Sequence, residues 1–221
     1  MFLAAGKSSR MGTHKLSLPI RDRTIGSLSL YAAVTSELDH IFAITRGDDT
    51  LDWIDWVLRM KALKNRWTVV RCCEAEKGQS FSLKAGLSRA KEEKADGVVV
   101  LLADQPFIRA EMINELIFQY EQYVSNHKKL DFVAAMFGNL LRPPVLLSKN
   151  LFLKLITLTG DAGAQGIIRQ NPDLNGISII YEDRKAFLIL IQRKITNWRE
   201  KEGYKNEHED TGCKSLDSNR H

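Results

Sequence analysis

Gly6, Lys7, Ser8, Ser9, Arg10, Gly12 and Lys15 crowd one short stretch, FLAAGKSSRMGTHK, directly behind an apolar start. Glycines in a turn permit close backbone approach, and their exposed N–H groups form a concave site for anions. A guanidinium adds a fork that matches phosphate oxygens, and an ammonium adds a point charge. The chemistry that suits such a stretch is polyphosphate binding. Two narrower patterns fail. A P-loop needs a glycine five residues ahead of the Gly-Lys pair, where Met1 stands, and Gly6 and Gly12 do not make G-x-G-x-x-G. An ordinary strand-to-helix turn with solvated basic residues stays open beside the anion site.

Three further places carry polar groups. Asp104 follows the apolar run VVVLLA. A carboxylate at the end of a buried strand suits a Mg²⁺ ion held against phosphates, or it caps the helix that begins near Arg109. KGQSFSLKAGL has the polar start and apolar interior of a helix N-terminus, with Ser80 or Ser82 as its cap, and Asp161 in TGDAGAQG reads as the cap of another helix. The histidines form no triad or metal-ligand constellation. Cys72, Cys73 and Cys213 lack zinc-ligand spacing and point to a reducing, cytoplasmic compartment.

The elements that position these residues follow from hydrophobic patterning. MFLAA, HIFAIT, WTVVRC, GVVVLLA, DFVAAMF and GISIIY read as strands, several without polar alternation, as strands covered on both faces do. Helical patterns fall over roughly 25–37, 50–64, 80–94, 109–126 and 161–170. This alternation predicts an α/β fold, a mostly parallel sheet between two helical layers. Ligands of such sheets sit outside the carboxyl ends of the strands. That singles out Gly6 to Lys15, Glu74 to Ser82, Asp104 to Pro106, and Arg142 to Pro144. The chain of 221 residues, 44% hydrophobic, is long enough for one sizeable core, and one domain is expected over residues 1–190. No apolar run approaches the ~20 residues of a membrane span, and the start lacks a secretory pattern. The net charge of +5 is dispersed among carboxylates, which disfavours nucleic acid and suits a small anionic ligand.

LAAGKSSRMG followed by Lys15 and LSLP resembles the signature of the MobA-like nucleotidyltransferases, and within them that of the molybdenum cofactor cytidylyltransferases. EKGQSFSLKAGL, VLLADQPF, RPPVLLS and LTGDAGAQGII follow in the family's order and spacing, over roughly residues 2–186. The resemblance implies a single-domain, Rossmann-like three-layer sandwich of the nucleotide-diphospho-sugar transferase type. It places Leu3, Ala4, Ala5, Gly6, Lys7, Ser8, Ser9, Arg10 and Lys15 around a nucleoside triphosphate. Lys15 and Arg10 would stabilise charge on the phosphate under attack, and Asp104 would hold Mg²⁺. Gly78, Gln79, Ser80 and Ser82 would meet base and ribose, and Gln105, Arg142, Gly160 and Asp161 would border a pterin pocket. Ala5-Gly6 and Gln105-Pro106 match the cytidylyl rather than the guanylyl branch, which favours CTP over GTP. The implied reaction moves CMP from CTP to molybdopterin with release of pyrophosphate and serves a molybdenum hydroxylase such as a xanthine dehydrogenase. The alternatives are GTP-dependent transfer, transfer to a sugar or polyol phosphate, and a non-catalytic protein that binds and delivers the cofactor.

The chain departs from the family at two places. Its first strand is about four residues long, where relatives carry several more apolar residues. Past residue 187 relatives show Asp-Ile-Asp-Thr, whereas this chain reads FLILIQRKITNWREKE. Codons for Leu188 onward, read one frame over, can spell Asp-Ile-Asp-Thr-Glu-Glu-Asp-Tyr-Gln-Leu-Ala-Arg-Glu, so residues 191–221 read as the product of a frameshift. That segment is polar and too poor in apolar side chains to offset its ordering entropy, and it is expected to be disordered. Asp183 is the nearest substitute for the missing carboxylate.

Overall fold

The apolar runs become the strands of one sheet. The structure is a computed structural model that describes residues 1–6, 14–126, 129–161 and 163–189. In chain order the elements begin with β1 (Phe2–Leu3), a small hairpin of β2 (Pro19–Ile20) and β3 (Arg23–Thr24), and α1 (Ile25–Val34). β4 (Ile41–Arg46), α2 (Trp56–Arg59), α3 (Lys61–Lys64), β5 (Trp67–Cys72) and α4 (Gln79–Glu92) follow. Then come β6 (Gly97–Leu102), α5 (Ala110–Ser125), β7 (Phe132–Phe137) and β8 (Leu140–Ser148). The last elements are α6 (Phe152–Ile156), α7 (Ala164–Gln170) and β9 (Gly176–Ile180).

The seven-stranded sheet has the order β5-β4-β1-β6-β8-β7-β9. All neighbours pair in parallel except β8, which runs antiparallel to both β6 and β7. The expected α/β architecture with a mostly parallel sheet is therefore what forms. Residues Met1–Ile189 make one compact unit. Successive residues of a strand face opposite layers. Phe132 and Ala134 accordingly join the core under α4, α6 and α7, with Leu83, Leu87, Leu155 and Ile167. Ala135 joins the core on the other face, with Ala32 of α1 and Met112 of α5. No helix among the described residues is long and apolar enough to cross a membrane.

Several expectations needed correction. α4 starts at Gln79 behind Gly78, so Ser80 and Ser82 lie inside the helix and do not cap it, and Gly163 rather than Asp161 stands at the cap of α7. β8 was not among the predicted strands, because its Pro143 and Pro144 lack the N–H that a ladder uses. The register accommodates them: Ala134 pairs with Val145 and Ala135 with Arg142, so a bulge leaves both prolines outside the ladder of β7. The helix expected over 50–64 is instead two single turns behind an irregular stretch. Trp53 causes the break by turning inward to 1% exposure. Its indole N–H donates to Asp49 Oδ2 at 3.2 Å, and its ring stacks on Phe2 with centroids 6.1 Å apart.

Candidate active site

The chain leaves the carboxyl ends of β1 and β6 side by side, since Leu3 lies opposite Leu102. Ala4 and Ala5 continue β1 as buried residues and end at exposed Gly6. The chain returns at His14 and passes Lys15 through a single 3₁₀ turn whose buried residue is Leu16. β6 likewise ends at Ala103 and Asp104. The two ends meet: Lys15 Nζ donates to Asp104 Oδ2 at 2.8 Å, with both side chains about a quarter exposed. Residues 89 positions apart in sequence thus form one charged pair at a strand end.

This pair forms one wall of a cleft of about 470 Å³. Leu3, Ala4, Ala5, Gly6, Leu16, Leu102 and Ala103 complete that wall. Ala75, Glu76, Lys77, Gly78, Gln79 and Ser82 face it from the start of α4, and Asp161 closes one end. Backbone contacts fix the start of α4 there. Gly78 adopts φ +128°, a value that disfavours any side chain, and a Cβ on it would run into the backbone of Gly160. Ser80 N–H donates to Gly160 O at 3.0 Å, so the turn at 160–161 is stitched to the helix start. Gly160 itself has φ +58°. Lys77 donates to Glu74 at 2.5 Å, and that carboxylate holds the Lys77 ammonium above its ordinary range. The cleft is therefore mixed in sign, with cations at both walls and carboxylates at Asp104, Glu76 and Asp161.

The structure gathers most of the predicted site and leaves part of it aside. Leu3, Ala4, Ala5, Gly6, Lys15, Gly78, Gln79, Ser82, Asp104 and Asp161 share the cleft. Lys7, Ser8, Ser9 and Arg10 lie outside the described residues. Ser80 is fully buried beneath the helix start, and its Oγ has no hydrogen-bond partner. Gln105 turns away from the cleft. It is 2% exposed, and its Nε2 donates to Pro143 O at 3.3 Å. Arg142 stands in β8 opposite Ala135, with its Nε buried and without a partner. Asp183 is engaged elsewhere: it pairs with Arg109 Nη1 at 3.0 Å and accepts from Lys185 N–H at 2.9 Å, so the substitute role expected for it has no support in the cleft. His14 points its Nε2 at the buried carboxylate of Asp49, 3.8 Å away. Leu16, Leu102 and Ala103 line the cleft and were not among the predicted residues; Ala75, Glu76 and Lys77 line it too, within the stretch Glu74 to Ser82 that the strand-end rule marked without giving them a role. Glu76 and Lys77 directly precede Gly78 in the segment after β5, and that place was the available signal.

Among the described residues no group of three or more His, Cys, Asp or Glu side chains gathers as a metal site. What the cleft offers a cation is carboxylate oxygen from Asp104, Glu76 and Asp161. This donor set suits a hard ion that completes its shell with phosphate oxygens and water.

Comparison with known proteins gives the family and the fold. The sequence matches the MobA-like NTP transferase domain over residues 1–174. It is 37% identical over 170 residues to the purine catabolism protein PucB of Bacillus subtilis (strain 168), covering 76% of this chain and 79% of that protein. In solved structures, Rv0371c from Mycobacterium tuberculosis H37Rv superposes with a TM-score of 0.68 at 22% identity, over 90% of this chain and 96% of that one. The 4-diphosphocytidyl-2C-methyl-D-erythritol synthase of Anaerococcus prevotii DSM 20548 superposes with a TM-score of 0.61 at 14% identity, over 91% and 94%. At these identities the structural likeness concerns the fold.

Proposed function

The chain belongs to the MobA-like NTP transferase family, and from that premise we propose that it transfers CMP from CTP to molybdopterin and releases pyrophosphate. The observation that carries the reading is the Lys15–Asp104 pair at the adjoining ends of β1 and β6, set in a cleft whose other wall is the start of α4. The relative PucB, a purine catabolism protein by name, supports a recipient among the molybdenum hydroxylases, such as a xanthine dehydrogenase.

In the reaction a terminal phosphate oxygen of molybdopterin attacks the α-phosphorus of CTP. A new P–O bond forms there, and the bond from the α-phosphorus to the α,β-bridging oxygen breaks, so pyrophosphate departs with that electron pair. The acceptor brings its own nucleophile, and the protein needs no serine or cysteine for attack. Its work is positioning and charge stabilisation. Gly6 lets the backbone approach the triphosphate. Lys15 leaves Asp104 and turns its ammonium to the phosphate under attack, where Arg10 supplies a second cation. Asp104, with Asp161 across the cleft, would hold Mg²⁺. When bound, that ion neutralises charge on the phosphate oxygens. Gly78, Gln79 and Ser82 receive ribose and base, and Ala5 favours the pyrimidine. One methyl group discriminates by about 1–3 kcal/mol, so the preference for CTP over GTP is graded rather than absolute.

The test is pyrophosphate release from CTP or GTP in the presence of Mg²⁺ and molybdopterin. Release that needs all components and is faster with CTP is expected. Faster release with GTP would overturn the choice of nucleotide, and no release with either would point to a binding and delivery role.

A further inference from the structure

Asp104 is one carboxylate that meets the returning chain at His14 and Lys15, and Asp49 is a second. Asp49 stands just past the end of β4, the neighbour of β1 in the sheet. Its side chain is 2% exposed, and it is not part of the cleft's lining. A buried carboxylate is costly unless donors and a cation meet it. Three groups converge on this one. Leu51 N–H donates to Oδ1 at 2.8 Å, and the Trp53 indole N–H donates to Oδ2 at 3.2 Å. His14 Nε2 lies 3.8 Å from Oδ2, an ion pair when the imidazole is protonated. The two hydrogen bonds are local and hold the carboxylate in place. The contact with His14 is the long-range one, and it reaches the residue directly before Lys15.

The stretch that carries Asp49 is tied down on several sides. Arg71 of β5 donates from Nη1 to the carbonyl oxygens of Arg46 and Asp49. At the start of α1, the hydroxyls of Thr24 and Ser27 donate to Trp53 O, and Ser27 Oγ accepts from Asp55 N–H at 2.7 Å. The Trp53 ring fills the space over Gly26, where a Cβ would run into it, and its other contact is Phe2 of β1. Asp49 is thereby fixed to β1 and α1, the two elements between which the glycine-rich stretch runs.

On the other side of the contact, His14 O accepts from Ser17 N–H at 2.9 Å and so closes the single turn that carries Lys15. His14 itself is extended, with φ −67° and ψ 115°. An extended residue and its neighbour send their side chains to opposite sides. A His14 ring turned toward Asp49 therefore sends Lys15 the other way, into the cleft, where its Nζ meets Asp104 Oδ2 at 2.8 Å. His14 Nδ1 is buried without a hydrogen-bond partner, which leaves Asp49 as the polar contact of the ring among the described residues.

We infer that Asp49 is a positioning residue of the phosphate site: its buried carboxylate holds the His14 ring, and through His14 it aims Lys15 at a bound polyphosphate. The inference rests on the reading of the cleft as a triphosphate site. Asp49 touches no substrate, and no bond to it changes in the reaction. An amide in its place keeps the shape but not the function. Its oxygen still accepts from Leu51 N–H, whereas its NH₂ group meets the indole N–H and loses the attraction for the imidazole. Lys15 is then present but poorly aimed.

Tripolyphosphate with Mg²⁺ is the probe, because it presents the phosphates without base or ribose. Calorimetric titration of the full chain compares the parent with Asp49→Asn, His14→Ala, His14→Gln and Lys15→Ala. The first two are also combined with Lys15→Ala. Asp49→Asn and His14→Ala are each expected to weaken binding about tenfold, the lower end of what the loss of an orienting partner costs. Neither should weaken it further beside Lys15→Ala, since the route from Asp49 to the phosphates runs through Lys15. His14→Gln, whose amide can donate to Asp49, should recover most of the affinity that His14→Ala loses. His14 is 32% exposed and outside the core, so these variants decide the matter even where Asp49→Asn fails to fold. Equal affinities of the parent and His14→Ala overturn the inference. So does a loss from His14→Ala that persists at full size beside Lys15→Ala, the mark of a merely structural role. A parent that binds no tripolyphosphate overturns the reading of the cleft itself, and the inference with it.

Discussion

In the proposed reaction most of the chemistry falls on Lys15 and Asp104. They touch at 2.8 Å within one wall of the cleft, and in that reaction each exchanges the other for substrate-borne charge. Lys15→Ala should lower kcat/KM for CTP by about 10²–10³, the loss typical of removing one preorganised charge donor, and Asp104→Asn should do the same with a weakened response to Mg²⁺. Steady-state pyrophosphate release reads both. Unchanged rates in either variant would contradict the assignment. Both residues were legible in the sequence because Asp104 directly follows one apolar run and Lys15 ends the glycine-rich stretch behind another, the place where open α/β sheets bind ligands. Gln105 and Arg142 were marked by the same rule and fell outside the cleft: packing turns the Gln105 side chain inward, and Arg142 lies within β8 rather than past the end of a strand. Met1 supports a separate prediction. Its amine titrates near 5 when folded and near 8.0 when exposed, so the unfolded chain binds more protons between those values. Stability should therefore rise with pH from 5 to 8, with the penalty complete below 5 and absent above 8, on the order of 4 kcal/mol in all. Urea unfolding at the two pH values checks this, and a chain acetylated at its amino group should lose that rise.

The start of α4 is the element that shapes the second wall. Its position depends on Gly78 at φ +128° lying against the backbone of Gly160, with Ser80 N–H bonded to Gly160 O. Gly78→Ala should destabilise the fold by about 2 kcal/mol and lower the thermal midpoint by about 5 °C. Nucleotide affinity should fall with it, since the helix start must shift. A variant with an unchanged midpoint would mean that the turn gives way freely. KGQSFSLKAGL announced the helix and its polar start. The partner turn, 80 residues away, was readable only as a glycine-rich break. Elements whose pattern is interrupted were the ones misread. β8 hides two prolines in a bulge, and the expected helix over 50–64 is broken by Trp53, whose burial in contact with Phe2 and hydrogen bond to Asp49 outweigh local helical periodicity.

At the scale of the whole molecule, the sheet order was not readable from the apolar runs, although strand type and position largely were. WTVVRC forms β5 residue for residue, and GVVVLL forms β6, because strands covered on both faces need no alternation. The expectation for residues 191–221 lies outside the described residues. What the fold contributes is the convergence of two strand ends and one helix start on a single mixed-charge cleft. The central claim is that this cleft binds a nucleoside triphosphate through Lys15 and Asp104. Calorimetric titration of the full chain with CTP, with and without Mg²⁺, tests it most directly when repeated on Lys15→Ala and Asp104→Asn. CTP should bind the parent more tightly with Mg²⁺. Lys15→Ala should weaken binding at least about tenfold, a loss of ~1.4 kcal/mol, and Asp104→Asn should abolish the Mg²⁺ effect. Titrations of both variants that superimpose on the parent would contradict the account.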